Sequence, residues 1–158
     1  MKVIDNKLFD SLTEEARINP RLRKNYNFHD SLDEPIHRLL NAVEPGTYVQ
    51  PHRHSNPDKE EIFFVLRGKI VFFIFNDDGS IEKAIEMSPD SDVKGLEIRA
   101  GVWHSLVVVE SGTILYEIKS GPYVRLSPEN IAPWAPAPDD KKAVDEYIIR
   151  LLNTELSS

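Results

Sequence analysis

The segment Gly46-Thr47-Tyr48-Val49-Gln50-Pro51-His52-Arg53-His54, followed by Glu61 and Gly68, sets two histidines one residue apart between two glycine turns. Alternate side chains share one face of a β-strand, so His52 and His54 are expected to point the same way. Two imidazoles placed like that can bind one metal ion together. Beyond the short loop at 55–59, Glu61 begins the next expected strand and can face the same interior, and Gly68 lies in the turn that closes that strand. A second segment, Arg99-Ala100-Gly101-Val102-Trp103-His104, aims a third imidazole inward from a glycine turn. Three neutral imidazoles and a carboxylate suit iron(II), zinc, nickel, manganese or cobalt, and an open position on such a metal takes water or substrate.

Around these residues the chain reads as short β-rich runs. Strands are expected at 37–43, 47–54, 60–66, 69–75, 81–86, 96–99, 105–109 and 113–118, separated by breaks such as Glu44-Pro45-Gly46, Arg67-Gly68, Asn76-Asp77-Asp78-Gly79 and Ser111-Gly112. Regular short strands with such turns imply a β-sandwich or barrel. The run Ile70-Val71-Phe72-Phe73-Ile74-Phe75 is apolar on both faces, so it needs cover on both, from a packed helix or an interface. A homodimer is the expected assembly on that ground. Helical spacing of Leu8 and Leu12 predicts a helix over 5–18, stopped by Asn19-Pro20. The polar stretch from Arg21 to Asp30 reads as an ordered loop. After a proline-rich segment around Trp134, Asp139 or Asp140 is placed to cap a last helix ending near Leu152, with Val144, Ile148 and Leu151 on one face. Residues 1–158 thus form one domain: a helix and loop over 1–35, the barrel over 36–120, and the proline-rich segment and helix over 121–158.

Bulk properties narrow the functional classes. The 158 residues suffice for one core, and 41% hydrophobic with 28% charged content is ordinary for a globular domain. A net charge of −7 disfavours nucleic acid as a partner. With no cysteine, disulfides, thiolate metal sites and cysteine nucleophiles are excluded. No run approaches the length of apolar residues that spans a bilayer, and Met1–Asn6 has no signal-like apolar stretch. The expectation is a cytoplasmic protein with no membrane partner.

The two histidine segments resemble the two motifs of the cupin superfamily. Gly46, His52, His54, Glu61 and Gly68 match the first motif, although the gap between His54 and Glu61 is longer than the family's. Glu60 therefore competes with Glu61; the step from Glu61 to Gly68 favours Glu61, and strand parity turns only one of them inward. In the second motif Gly101 and His104 agree, while Arg99 stands for its proline and Val108 for its asparagine, and its leading glycine is absent. The flanks are similar to the WbuC family of cupin metalloproteins, through Arg23-Lys24-Asn25-Tyr26-Asn27-Phe28-His29, Arg38-Leu39-Leu40-Asn41 and Ala132-Pro133-Trp134-Ala135-Pro136. This resemblance implies an all-β jelly-roll (double-stranded β-helix) barrel with a short helix near each end. It further implies one divalent metal held by His52, His54, Glu61 and His104, and a link to bacterial O-antigen and other surface polysaccharide.

Further residues have candidate roles. His29 is an outer ligand, a general acid/base or a hydrogen-bonded loop residue; His37 is structural or exposed. Arg21, Arg23, Lys24 and Arg38 form either an anion pocket or a solvated, ion-paired face. Tyr48 and Gln50 share the parity of His52 and His54, so they are expected inside the barrel, contacting substrate or orienting the ligands. Trp103 fits a core or sugar-stacking position, and Trp134 an anchor for the proline-rich segment. Three functions follow. One is metal-assisted isomerase, epimerase or lyase chemistry on a sugar or nucleotide-sugar, with Glu60, His29 or a metal-bound water moving the proton. The others are an iron(II) dioxygenase and a non-catalytic carbohydrate-binding metalloprotein.

Overall fold

Strand parity builds the barrel around a shared interior. The computed structural model describes residues 1–157. In chain order it contains α1 (Asn6–Ile18), β1 (Arg23–Asn27), β2 (Ile36–Val43), β3 (Glu61–Arg67), β4 (Ile70–Phe75), β5 (Ile81–Met87), β6 (Gly95–Ile98), β7 (Trp103–Val108), β8 (Thr113–Ser120), a 3-10 turn (Pro128–Asn130) and α2 (Lys141–Leu152). One antiparallel sheet has the order β1-β2-β8-β3-β6 and the other β5-β4-β7. The fold is the all-β jelly roll expected, with a helix near each end.

β4 is the dividing wall. Its Ile70 and Phe72 join the barrel interior with Val43, Phe63, Val65, Leu106, Val108 and Leu115. Its Val71, Phe73 and Phe75 face the other way, onto Val144, Tyr147, Ile148 and Leu151 of α2. The second apolar face is thus covered within the chain. Asp140 caps that helix by accepting from the backbone N–H of Ala143. Asp5 does the same for α1 through Leu8, and α1 packs Phe9, Leu12 and Ala16 on the outward residues Leu40, Ala42 and Ile114 of the larger sheet.

Two sequence expectations fail for identifiable reasons. The stretch at 21–30 is not a loop throughout: Arg23–Asn27 forms β1, antiparallel to β2 with Arg23 opposite Val43. Its alternation is hidden because the residues turned toward the cavity, Arg23, Asn25 and Asn27, are polar. Conversely, 47–54 carries no strand ladder. His52 makes only isolated bridges, to His104 and to Ile131. Pro51, with no N–H to donate, limits pairing here. The segment is held to the rest of the barrel by five separate backbone bonds: His52 N–H to His104 O (3.1 Å), His104 N–H to His52 O (2.9 Å), Gly101 N–H to His54 O (2.9 Å), Arg53 N–H to Asn130 O (3.0 Å) and Ala132 N–H to Pro51 O (3.0 Å).

Gly68, in the β3–β4 turn, has φ +77°, and a Cβ there would lie 2.2 Å from Thr113 Oγ1 and 2.8 Å from the Thr113 backbone. Thr113 cannot move aside, since its hydroxyl bonds Glu110 O at 2.7 Å and accepts from Lys69 N at 3.1 Å. Gly68→Ala is expected to cost about 2–4 kcal/mol of stability from left-handed strain and overpacking together, measured by urea unfolding. A loss below about 0.5 kcal/mol would refute this account of the turn.

Candidate metal centre

His52, His54, Glu61 and His104 converge: one ligand atom from each lies within 4.8 Å of all the others. They arrive from different places. Glu61 is the first residue of β3 and shares the inward parity of Phe63 and Val65. His104, on β7, shares the inward parity of Leu106 and Val108 and stacks beside Phe72, with ring centroids 5.9 Å apart. His52 is fixed by its bridge to His104. His54 is held from behind by the Gly101 N–H donating to its carbonyl (2.9 Å), and Asn130 ties the next residue by donating to Ser55 O (2.7 Å).

The donor set fits a divalent cation. The Nδ1 of His52 lies 2.9 Å from Gln50 O, and that of His104 lies 2.9 Å from Val102 O. A backbone carbonyl can only accept, so each Nδ1 carries the proton and each Nε2 is left with a free lone pair. The Nε2 atoms of His54 and His104 lie 3.2 and 3.1 Å from the Glu61 carboxylate oxygens. Yet both, with Glu61 Oε2, are buried without a properly angled hydrogen-bond partner. Buried polar atoms are seldom left unpaired, and a shared cation satisfies all three at once. Electrostatics agree. Burial and the neighbouring His104 lower the His52 pKa to about 3, keeping it neutral. Glu61 is 2% exposed. Burial opposes its charge, but a proton on the facing His104 or His54 Nε2 in the metal-free protein, and the Lys119 ammonium 2.8 Å away, hold it ionised, well below the usual carboxylate range.

The centre opens onto a cavity of about 580 Å³ lined by His52 and Glu61 at one end. Beside Glu61, three side chains from adjacent strands form a polar group. Lys119 Nζ is 2.8 Å from Glu61 Oε1 and 3.6 Å from Glu117 Oε1, and Asn41 donates to Glu117 Oε2 at 2.6 Å. Burial raises the Glu117 pKa despite the opposing pull of Lys119. Lys119 is itself raised, because Glu61 and Glu117 outweigh the burial that would lower it. Sequence reading missed this group. Its signal was present in β8, where Leu115, Glu117 and Lys119 share one parity, so the two charges had to lie inside.

The other candidates separate. Arg23 lines the mouth of the cavity, with Nη1 donating to Tyr48 O at 3.0 Å. His29 and His37 both line the wall, buried and stacked with centroids 4.2 Å apart. His29 Nδ1 is engaged by the Arg38 backbone (3.2 Å) and His37 Nε2 by Leu32 O (3.0 Å). His37 is therefore not an exposed residue but part of the cavity. Three expectations need correction. Glu60 is exposed, because β3 turns only Glu61 inward. Arg38 shares the outward parity of Leu40 and pairs with Glu34 instead of lining the cavity. Tyr48 and Gln50 point away from the interior and donate to Pro136 O, at 2.8 and 3.3 Å, because the parity that linked them to His52 requires a regular strand. Trp103 takes the core position of its two alternatives, buried against α2 with its Nε1 donating to Asp77 (3.0 Å). Trp134 does anchor the proline-rich segment, packing at a tilt against Phe75 with ring centroids 5.0 Å apart.

Residues 4–87, just over half of the chain, match the model of a family described as Domain of unknown function (DUF6016). No curated protein matches the sequence. Among solved structures the chain is similar to TT1209 from Thermus thermophilus, at 22% identity over 76% of this chain and 97% of that one, with a TM-score of 0.53. It is similar to KdgF from Halomonas sp., at 16% identity over 68% and 85%, with a TM-score of 0.50. A proposed sugar phosphate isomerase from Acidithiobacillus ferrooxidans shares 20% identity over 63% of this chain and 59% of that one, with a TM-score of 0.50. At these identities the likeness establishes the shared fold.

The depressed His52 pKa has a consequence for the metal-free protein. Between pH 6.5 and about 3 the unfolded chain binds a proton that folded His52 refuses, so stability falls as pH drops through this window. His37, lowered by burial, acts in the same direction. Glu61 reinforces the loss below its ordinary value of 4.5, whereas Glu117, raised by burial, opposes it. Chelator-treated protein should therefore lose melting temperature from about pH 7 to about pH 5, and His52→Gln should flatten that slope. An unchanged slope in the variant would contradict the assignment of His52 as a neutral, buried imidazole.

Proposed function

We propose that this chain, which belongs to the DUF6016 family, is a metal-dependent enzyme of the cupin type that moves a proton on a sugar or nucleotide-sugar. One observation carries the reading: the four convergent donors border, through His52 and Glu61, a cavity whose wall beside them holds a buried, hydrogen-bonded carboxyl, Glu117. A metal-binding protein without chemistry has no use for that carboxyl beside the centre.

His52, His54, Glu61 and His104 would hold the ion, which is iron, zinc, nickel or manganese by ligand type. A bound divalent ion supplies Lewis-acid polarisation of a substrate oxygen. Around it the protein's own groups do the rest. Lys119 pairs with Glu61 and reaches Glu117, orienting both. Asn41 fixes Glu117 Oε2, leaving Oε1 directed at Lys119 and the cavity. Glu117 replaces Glu60 as the group that removes and returns a proton next to the polarised carbonyl, its raised pKa suiting both steps. His29, engaged through Nδ1, has its Nε2 left to contact a substrate hydroxyl. The apolar side formed by Phe63, Leu106 and Leu115 keeps bulk water from the reacting face. Isomerase, epimerase or lyase chemistry follows from such a pair of functions. The fold shared with a proposed sugar phosphate isomerase supports a carbohydrate substrate. A place in O-antigen biosynthesis, in the cytoplasm, rests on the resemblance of the flanking segments to WbuC proteins.

Protein purified without an affinity tag should carry about one first-row metal per chain. A His52→Ala/His104→Ala variant should lose it while keeping its circular dichroism. Glu117→Gln should keep the metal and reduce turnover of the responsive sugar by about 10²–10⁴-fold. No metal in the parent, even after reconstitution with iron, zinc, manganese and nickel, would overturn the reading. Oxygen uptake with iron(II) would replace it with dioxygenase chemistry.

A further inference from the structure

The mouth of the cavity is built differently from its floor. On the floor, the two carboxylates Glu61 and Glu117 are the only acidic groups among the lining residues, and Lys119 sits between them. At the mouth, the chain turns into β1 and sets Arg21, Arg23, Asn25 and Asn27 along one lip. In a protein with a net charge of −7, two arginines on one lip without an acidic partner, next to a Lys24 whose charge Glu15 meets, are a local reversal of sign.

These cations are not consumed by the fold. Lys24, the neighbour with opposite parity, pairs with Glu15 at 2.7 Å, and Arg38, turned outward, pairs with Glu34. Among the described residues neither Arg21 nor Arg23 has an acidic partner. Arg23 uses Nη1 on Tyr48 O, which fixes the guanidinium at the lip and leaves the remainder of its N–H fork free. Arg21 contributes only its backbone to the structure, donating from N to Asn19 Oδ1 (2.8 Å) and accepting from Thr47 Oγ1 at its carbonyl (2.7 Å).

The backbone between them is held in an uncommon conformation. Leu22 has φ 54°, the left-handed region that a branched side chain seldom occupies. It is pinned there by the Glu44 N–H donating to Leu22 O at 3.0 Å and the Leu22 N–H donating to Asn19 O at 2.8 Å. Strain of this kind persists only where surrounding contacts enforce it. Here its result is that two arginines separated by one residue border the same opening.

We propose that Arg21 and Arg23 form a phosphate-binding subsite at the cavity mouth, so that the substrate is a phosphorylated sugar whose polyol end reaches the His52/His54/Glu61/His104 centre. Planar guanidinium forks match phosphate oxygens in pairs, and the amides of Asn25 and Asn27 supply neutral donors beside them. The phosphate belongs either to a sugar monophosphate or to the diphosphate of a nucleotide-sugar. The inference rests on the proposed metal-dependent sugar chemistry for what occupies the floor, and on the lip alone for the anion.

Calorimetric titration of the full chain with a hexose, its 6-phosphate, its uridine diphosphate conjugate and inorganic phosphate tests the subsite. At least one sugar bearing phosphate should bind about tenfold or more tightly than the plain hexose, with an affinity that falls as salt rises. Arg21→Ala, which removes no hydrogen bond or ion pair of the fold, should erase much of that advantage; Arg21→Ala/Arg23→Ala should erase it, and Arg23→Lys should keep the charge without the fork. Preference for the monophosphate or for the diphosphate identifies which source the lip serves, and either supports the subsite. Equal binding of hexose and its phosphorylated forms, binding by none of the phosphate probes, or an advantage that survives the double arginine variant would overturn it. Running inorganic phosphate against the His52→Ala/His104→Ala variant separates the two readings. Weak binding that persists there and disappears with the arginines places the anion at the lip, whereas binding lost with the histidines and indifferent to the arginines places it at the centre and overturns the subsite. Absence of metal from the parent protein would sink the proposed chemistry and leave this phosphate measurement standing on its own.

Discussion

A carboxylate 2% exposed must be compensated, and around Glu61 the compensation organises the molecule. Isolated burial of such a charge costs several kcal/mol, so it persists only with close partners of suitable sign or with a cation. Lys119 supplies one partner from β8, and the imidazoles of His54 and His104 approach from a bridge segment and from β7. Those elements belong to both sheets. The polar centre is therefore also the point where the two sheets and the segment after Gly46 are tied together. Its three unsatisfied atoms point to one spot that suits a divalent cation.

The surrounding packing makes that centre rigid. β4 is apolar on both faces because it serves two cores, the barrel interior through Ile70 and Phe72 and the α2 interface through Val71, Phe73 and Phe75. The proline-rich segment, pinned by Trp134 on Phe75 and bonded at Pro136 by Tyr48 and Gln50, clamps the histidine segment from outside. Tyr48 and Gln50 thereby support the site from behind. A site held from both sides can keep imidazole lone pairs aimed at one point, as metal binding and electrostatic catalysis both require.

The cavity joins two electrostatic regimes. Its floor is nearly self-neutralising, with Lys119 between Glu61 and Glu117, while its lip at β1 carries arginines with no acidic partner among the described residues. An elongated ligand with one anionic end and one hydroxyl-rich end fits such a gradient better than a symmetric one. The stacked and buried pair His29 and His37 lines the wall between them.

Much of this was legible in the chain itself. The spacing of His52, His54, Glu61 and His104 and the helical periodicities are local patterns, so the ligand types, the β class and both terminal helices could be read directly. Glycine at 46, 68 and 101 marked turns because each adopts positive φ. Other features depend on which strands become neighbours. Arg23–Asn27 carries no apolar alternation, and only pairing with β2 makes it a strand. Tyr48 and Gln50 were placed by a parity that Pro51 and the isolated bridge at His52 do not sustain. Glu117, Lys119 and Asn41 are far apart in sequence or hidden in ordinary strands, and they became one group only when β2, β8 and β3 lay side by side. Local chemistry and turn geometry are encoded in short stretches of residues, whereas the direction a side chain faces, and what it meets there, is decided by the pairing of distant strands.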